Sequence, residues 1–256
     1  MKTKKSLSQN FLKSIPALNA IIKIGEISKE DIVLEIGPGK GALTKKLLEH
    51  AGLIVAVEKD RELFEFLAKK FEKEILSEQL NLIHEDILDF NPKIYNLETR
   101  SYKIIANIPY NITGAILKKF LTAEHQPENM VLMVQHEVAT RIVARDKKES
   151  ILSISVKAYG EPKVIMKVPA RYFSPAPKVD SAIIAIKNIS RQTFQKNNIN
   201  EVKFWEIVKK GFAHKRKKLS GNLKNVISAE KLQENNFKNK RAEELSLSDW
   251  ILLAKN

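Results

Sequence analysis

Four consecutive residues, Asn107-Ile108-Pro109-Tyr110, follow the apolar run Tyr102–Ala106. As ordinary structure they make an Asn-x-Pro turn with a packed tyrosine. They also answer a chemical problem. The exocyclic amine of adenine or cytosine is a poor nucleophile, because its lone pair is delocalised into the ring. A site that alkylates it must accept its N–H hydrogens and so direct the lone pair outward. An Asn side-chain oxygen and a backbone carbonyl beside a proline can do this. An aromatic ring can then stack on a base lifted out of its helix. No metal, covalent nucleophile or strong general base is needed.

Three further features end apolar runs. Glu35-Ile36-Gly37-Pro38-Gly39-Lys40-Gly41 closes Asp31–Ile36, and its glycines let the backbone turn sharply beside a helix start. Glu58 stands 21 residues after Gly37, a spacing at which an acid can accept both hydroxyls of a ribose. Asp86 follows Leu80–His84, where it can accept from an exocyclic amine. Gly37, Gly39 and Ala42 satisfy the G-x-G-x-x-G/A fingerprint, so a nicotinamide dinucleotide is one candidate ligand. With Asp86 included, the set fits better an adenosine ligand that lacks pyrophosphate. Glu35 argues the same way: a carboxylate beside the loop repels pyrophosphate but can orient an ammonium group.

These residues need a frame. Apolar runs at 31–36, 53–57, 80–84, 102–106 and 130–135 read as strands, and 44–50, 62–71 and 113–121 as helices between them. That alternation predicts an α/β fold with a mostly parallel sheet. In such sheets ligands bind outside the carboxyl ends of the strands, so all the candidate residues would face one crevice. Residues 11–28 have helical spacing. Residues 151–159, 163–168 and 181–186 read as strands without long helices between them, an antiparallel end to the sheet. The polar stretch 188–200 marks a boundary between a domain at 1–190 and a small helical domain at 191–256, with helices at 202–212, 220–227 and 247–253.

Charge narrows the partners. The 256 residues carry 44 Lys and Arg against 30 Asp and Glu, a formal charge of +14. A basic surface attracts polyanions. The last quarter is the most biased, with 15 basic and 7 acidic residues after position 190. It holds His214-Lys215-Arg216-Lys217-Lys218, a candidate nucleic-acid patch or a solvated helix face. The absence of cysteine excludes disulfides, thiolate metal sites and Cys nucleophiles. The five histidines show no paired ligand spacing, so no metal is expected. No apolar run approaches the length of a membrane span, and Lys13 and Lys23 interrupt any signal-peptide core. A soluble, cytoplasmic monomer is expected.

Taken in order, QNFL (9–12), EIGPGKGALT, VAVEKD, HEDIL, NIPYNIT, MVQHEVATRI (133–142) and FSPAPKVDS (173–181) resemble the motifs of S-adenosylmethionine-dependent rRNA adenine N6-dimethyltransferases. GFAHKRKKLSGNL (211–223) extends the resemblance and points to the branch acting on small-subunit (16S) rRNA rather than to the Erm enzymes of 23S rRNA. The resemblance implies a Rossmann-like class I methyltransferase sheet with a small α-helical C-terminal domain, and S-adenosyl-L-methionine as cofactor. It implies that Asn10 and Leu12 line the methionine end of the cofactor and that Gly37 abuts it. Glu58 would hold the ribose, and Asp86 the adenine amine, with Ile87 donating from its backbone. Asn107 and the Pro109 carbonyl would grip the target amine, and Tyr110 and Phe173 would sandwich the target base. The substrate implied is a pair of adjacent adenosines in a hairpin near the 3′ end of 16S rRNA in the 30S subunit. Lys215, Arg216, Lys217 and Lys218 are the candidates for phosphate contact. Gly114-Ala115 and His136 depart from the family pattern, away from the expected catalytic atoms. Two other readings remain, an RNA-binding assembly factor without catalysis and an NAD-dependent oxidoreductase.

Overall fold

The computed structural model describes residues 10–95, 97 and 101–255; Gln9 of the QNFL motif lies outside them. The elements run β1 (Phe11–Leu12), α1 (Ile15–Gly25), β2 (Ile32–Ile36), α2 (Ala42–His50), β3 (Leu53–Glu58), α3 (Arg61–Lys70), α4 (Glu72–Leu76) and β4 (Leu80–His84). Then come β5 (Tyr102–Asn107), α5 (Thr113–Leu121), β6 (Asn129–Gln135), α6 (His136–Val143), α7 (Ile151–Lys157), β7 (Glu161–Val168), β8 (Phe173–Ser174) and β9 (Ser181–Lys187). The chain closes with α8 (Gln192–Asn197), α9 (Glu201–Gly211), α10 (Leu219–Asn222), α11 (Ala229–Glu234) and α12 (Leu247–Ala254).

Seven strands form one sheet in the order β4-β3-β2-β5-β6-β9-β7. The β4/β3, β3/β2, β2/β5 and β5/β6 pairs are parallel, and β9 runs antiparallel to β6. The central strands are predominantly apolar because both faces are covered: β2 is buried at every position, Glu35 included. Helix α1 starts at a Ser14 cap, whose hydroxyl accepts from the Ala17 N–H at 3.3 Å, and buries Ala17, Leu18, Ile21 and Ile22 in the core. Chain order reverses between β2 and β5, so a crevice opens there at the carboxyl edge. The register sets Ile36, Glu58, His84, Asn107 and Gln135 along that edge.

Several local expectations change. Phe11 and Leu12 are not helical. They pair antiparallel with Ser174 and Phe173 in a two-stranded ribbon. Residues 151–157 alternate apolar and small polar side chains like a strand, yet form α7. Ser150 caps it: its hydroxyl accepts from the Ser153 N–H at 3.1 Å, and Ser153 Oγ accepts from the Ser150 N–H at 2.6 Å. That reciprocal capping box satisfies donors a strand would need a neighbour to satisfy. The polar stretch 188–200 contains α8, anchored by buried Phe194 and Ile199.

The chain folds as two compact units. One comprises the residues up to Ala139 with Pro162–Ile189, the other Thr140–Glu161 with the residues from Ser190 onward. Residues 140–161, expected in the first domain, thus cluster with the C-terminal part. In the second unit Gly211 lets α9 approach α12, where a Cβ would lie 2.3 Å from the Trp250 ring. Trp205 donates from Nε1 to the Tyr159 hydroxyl at 3.0 Å. No helix among the described residues is long and apolar enough to cross a membrane.

Candidate active site

The crevice at the carboxyl edge is a cavity of about 620 Å³ within the first unit. Its walls include Asn10, Leu12, Gly37, Glu58, Asp86, Ile87, Asn107, Pro109 and Tyr110, side by side with Glu35, Lys40 and Lys59. Nine of the ten residues expected to touch cofactor or base therefore share one cavity. The exception is Phe173, which is 4 % exposed and packed into the hydrophobic core with Leu12 and Leu18. Neighbouring residues of a strand face opposite ways, so here it is Ser174 that reaches the cavity.

The glycine loop is tied down by its own amides. The Gly37 N–H donates to the Val57 carbonyl at 2.9 Å, and the Gly41 N–H to the Pro38 carbonyl at 2.9 Å. The Gly39 N–H donates to Glu58 Oε2 at 3.1 Å. Gly39 has φ +61°, and a Cβ there would lie 3.0 Å from the Phe11 ring, so a side chain would strain the backbone and press on that ring. The three glycine amides of the loop are thus engaged within the protein rather than offered to a pyrophosphate.

Glu58 is 6 % exposed. Its second oxygen accepts from the Asp60 N–H at 2.8 Å, and Asp60 in turn caps α3. The carboxylate is thus aimed before any ligand arrives, with a lone pair left on each oxygen. Burial is the largest influence on its pKa and leaves it raised, against the amides that favour the charged form. Asp86 pairs with Lys59 at 2.6 Å and accepts from the Leu88 N–H at 2.9 Å. The Lys59 bond is the chief cause of its lowered pKa.

Glu35 is the most unusual acid of the cavity. It is 1 % exposed, and burial, with the Glu58 charge adding, pushes its carboxyl up to about 8, the nearby Thr44 opposing this in part. Its Oε2 is buried without a hydrogen-bond partner.

Asn107 ends β5, the strand beside the switch point. Its Nδ2 donates to the Asn10 carbonyl at 3.1 Å. This leaves the side-chain oxygen as the end of the carboxamide available to a ligand. The Pro109 carbonyl accepts from the Ile112 N–H at 3.3 Å, closing a 3₁₀ turn over Tyr110–Ile112, and keeps one lone pair. Tyr110 is held by a 2.6 Å bond to Ser181, a residue the sequence motif contained without a role.

The basic run lies in the second unit. Lys215, Arg216, Lys217 and Lys218 are exposed on the turn between α9 and α10, and Lys218 donates to Asn239 at 3.0 Å. Among the described residues no group of three or more His, Cys, Asp or Glu side chains can hold a metal ion.

The chain is similar to known proteins over nearly its whole length. A "Ribosomal RNA small subunit methyltransferase A" of Dehalococcoides mccartyi is 39 % identical over 98 % of this chain and 87 % of its own length. The protein of the same name in Rippkaea orientalis is 40 % identical over 98 % of this chain and 96 % of its own. The crystal structure of a dimethyladenosine transferase from Plasmodium falciparum superposes with a TM-score of 0.80 at 25 % identity, covering 95 % of both chains. The model of the ribosomal RNA adenine dimethylase family matches residues 1–256, and the chain belongs to that family.

Proposed function

We propose that this S-adenosylmethionine-dependent rRNA adenine N6-dimethyltransferase modifies two adjacent adenosines in a hairpin near the 3′ end of 16S rRNA, within the small (30S) ribosomal subunit. It works in the cytoplasm as a monomer. The observation that carries the reading is that Asn107, its carboxamide nitrogen tethered to the Asn10 carbonyl, lines the same cavity as Glu35, Glu58 and Asp86, which leaves its oxygen to accept from a ligand.

The residues fit the cofactor. The orphaned oxygen of Glu35 can take a hydrogen bond from a ligand ammonium, whose charge would favour the ionised carboxylate there. Glu58 offers two oriented oxygens to a ribose diol, and Asp86 accepts from an adenine amine with Ile87 beside it. Asn10, Leu12 and Gly37 enclose the remaining side. When bound, S-adenosylmethionine supplies a methyl group already activated on a sulfonium. The protein must then present the nucleophile. Asn107 Oδ1 and the Pro109 carbonyl accept the two N6 hydrogens for the first transfer and the one remaining for the second, so the nitrogen lone pair is no longer shared fully with the purine ring, and each transfer releases one N6 proton to water. Tyr110 stacks on the extruded base and fixes its plane. Phe173 reaches the opposite face only if the β1–β8 ribbon shifts. In the second unit Lys215, Arg216, Lys217 and Lys218 contact RNA phosphates.

The test is methyl transfer to purified small and large subunits, both from an unmethylated strain, with mass analysis of the nucleosides. N6,N6-dimethyladenosine in small-subunit rRNA is expected. Label confined to the large subunit would support the Erm-like alternative and overturn this reading.

A further inference from the structure

Tyr110 sits on a 3₁₀ turn outside the sheet ladder, so its backbone alone does not fix the ring. Its hydroxyl is 2.6 Å from Ser181 Oγ, either oxygen being able to donate. Ser181 is fully buried and is the first residue of β9, paired with Gln135 of β6 at the carboxyl edge. The residue before it is anchored from two sides. The Asp180 carbonyl accepts from the His136 N–H at 2.9 Å, and Asp180 Oδ1 accepts from the Ala170 N–H at 2.9 Å. Ser181 is therefore a rigid point on the sheet, and the bond transmits that rigidity to a ring carried by a short turn.

We infer that Ser181 is a positioning residue for methyl transfer, holding the Tyr110 ring in the plane on which the target base stacks. The inference rests on the proposed stacking role of Tyr110. A phenylalanine at 110 would offer the same ring area without the tether, so the hydroxyl serves orientation rather than contact area. Burial leaves the Tyr110 phenol raised in pKa, and the bond to Ser181 opposes this in part. The group is thus a neutral phenol throughout the physiological range, and no proton transfer is assigned to it.

The test is a double-mutant cycle of Ser181→Ala, Tyr110→Phe and the pair, read as single-turnover methylation of undermethylated small subunits at saturating cofactor. Each single variant should lose about fivefold in rate, the scale of one buried hydrogen bond. The double variant should lose no more than either single one, because both remove the same bond. S-adenosylmethionine affinity should stay at the parental value in all three. Parental rates in the single variants would overturn the inference. So would losses that multiply in the double variant, or a fall in rate matched by an equal fall in cofactor affinity, as a merely structural role would give. If the parental protein itself methylates no small subunit, the reading beneath the inference fails; if it is active and only the cycle fails, Ser181 alone is misassigned.

Discussion

Asn107 and Asn10, 97 positions apart, meet in a single 3.1 Å hydrogen bond from the carboxamide nitrogen of one to the main-chain oxygen of the other. The bond joins the end of the central strand β5 to the residue immediately before β1. It also decides which end of the Asn107 amide faces the cavity.

Glu58 offers two oxygens to two amide donors, those of Gly39 and Asp60. A glutamine has one acceptor oxygen, so Glu58→Gln must turn its NH2 toward one of those N–H groups. The glycine loop should loosen and the ribose lose an oriented acceptor. Cofactor affinity by calorimetric titration should fall about tenfold or more, a loss of roughly 1.4 kcal/mol or above. Parental affinity would show that Glu58 only shapes the loop.

Glu35 gives a pH dependence with a definite sign. Its carboxyl rises from the ordinary 4.5 to about 8 on folding. Between those values the folded protein holds this proton and the unfolded chain does not. Stability therefore falls as pH rises across that window, and is spared below it. Glu35→Gln removes this contribution, and the decline of the thermal midpoint from pH 5 to pH 8 should be shallower than in the parent. Glu58 is shifted in the same direction, so some decline should remain. Identical profiles in parent and variant would contradict the burial of an uncompensated acid at position 35.

Phe173 and Tyr110 should separate in stability. Phe173 is packed in the core, and Phe173→Ala should cost about 3–5 kcal/mol of unfolding free energy. Tyr110 is half-buried, and Tyr110→Ala should lower turnover with a smaller loss of stability. Denaturant unfolding measures both. A Phe173→Ala protein of parental stability that fails only in turnover would place that ring against the base after all.

Much of the frame and of the site is legible in the amino acids alone. Largely apolar runs, ended by glycine, an acid or an amide, locate β2 to β6, because buried parallel strands tolerate few polar residues. The acids and amides at their ends then fall along one edge by register. What stays hidden depends on local hydrogen bonds. Ser150 and Ser153 turn an alternating pattern into α7 by capping each other. Phe11 and Leu12 look helical until their distant partners, Ser174 and Phe173, are known. The burial of Phe173 follows from that pairing, since strand alternation gives the cavity to Ser174. Ser181 carries no signal at all, because a small polar residue acquires a role only through the hydroxyl it meets.

The basic turn in the second unit makes a prediction about salt. Replacing Lys215, Arg216, Lys217 and Lys218 with glutamine should weaken binding to small subunits. It should also reduce the slope of log affinity against log salt by up to about 3, if each charge meets one phosphate. An unchanged slope would mean that the run is a solvated surface.

The most direct measurement is methyl transfer by Asn107→Ala alongside its cofactor affinity. Turnover on undermethylated small subunits should fall by about 10²–10³-fold or more, as for loss of a preorganised hydrogen-bonding group. S-adenosylmethionine should still bind, because Glu58, Asp86 and the glycine loop remain in place. A variant that methylates at the parental rate would contradict the activation of the adenine amine by this carboxamide.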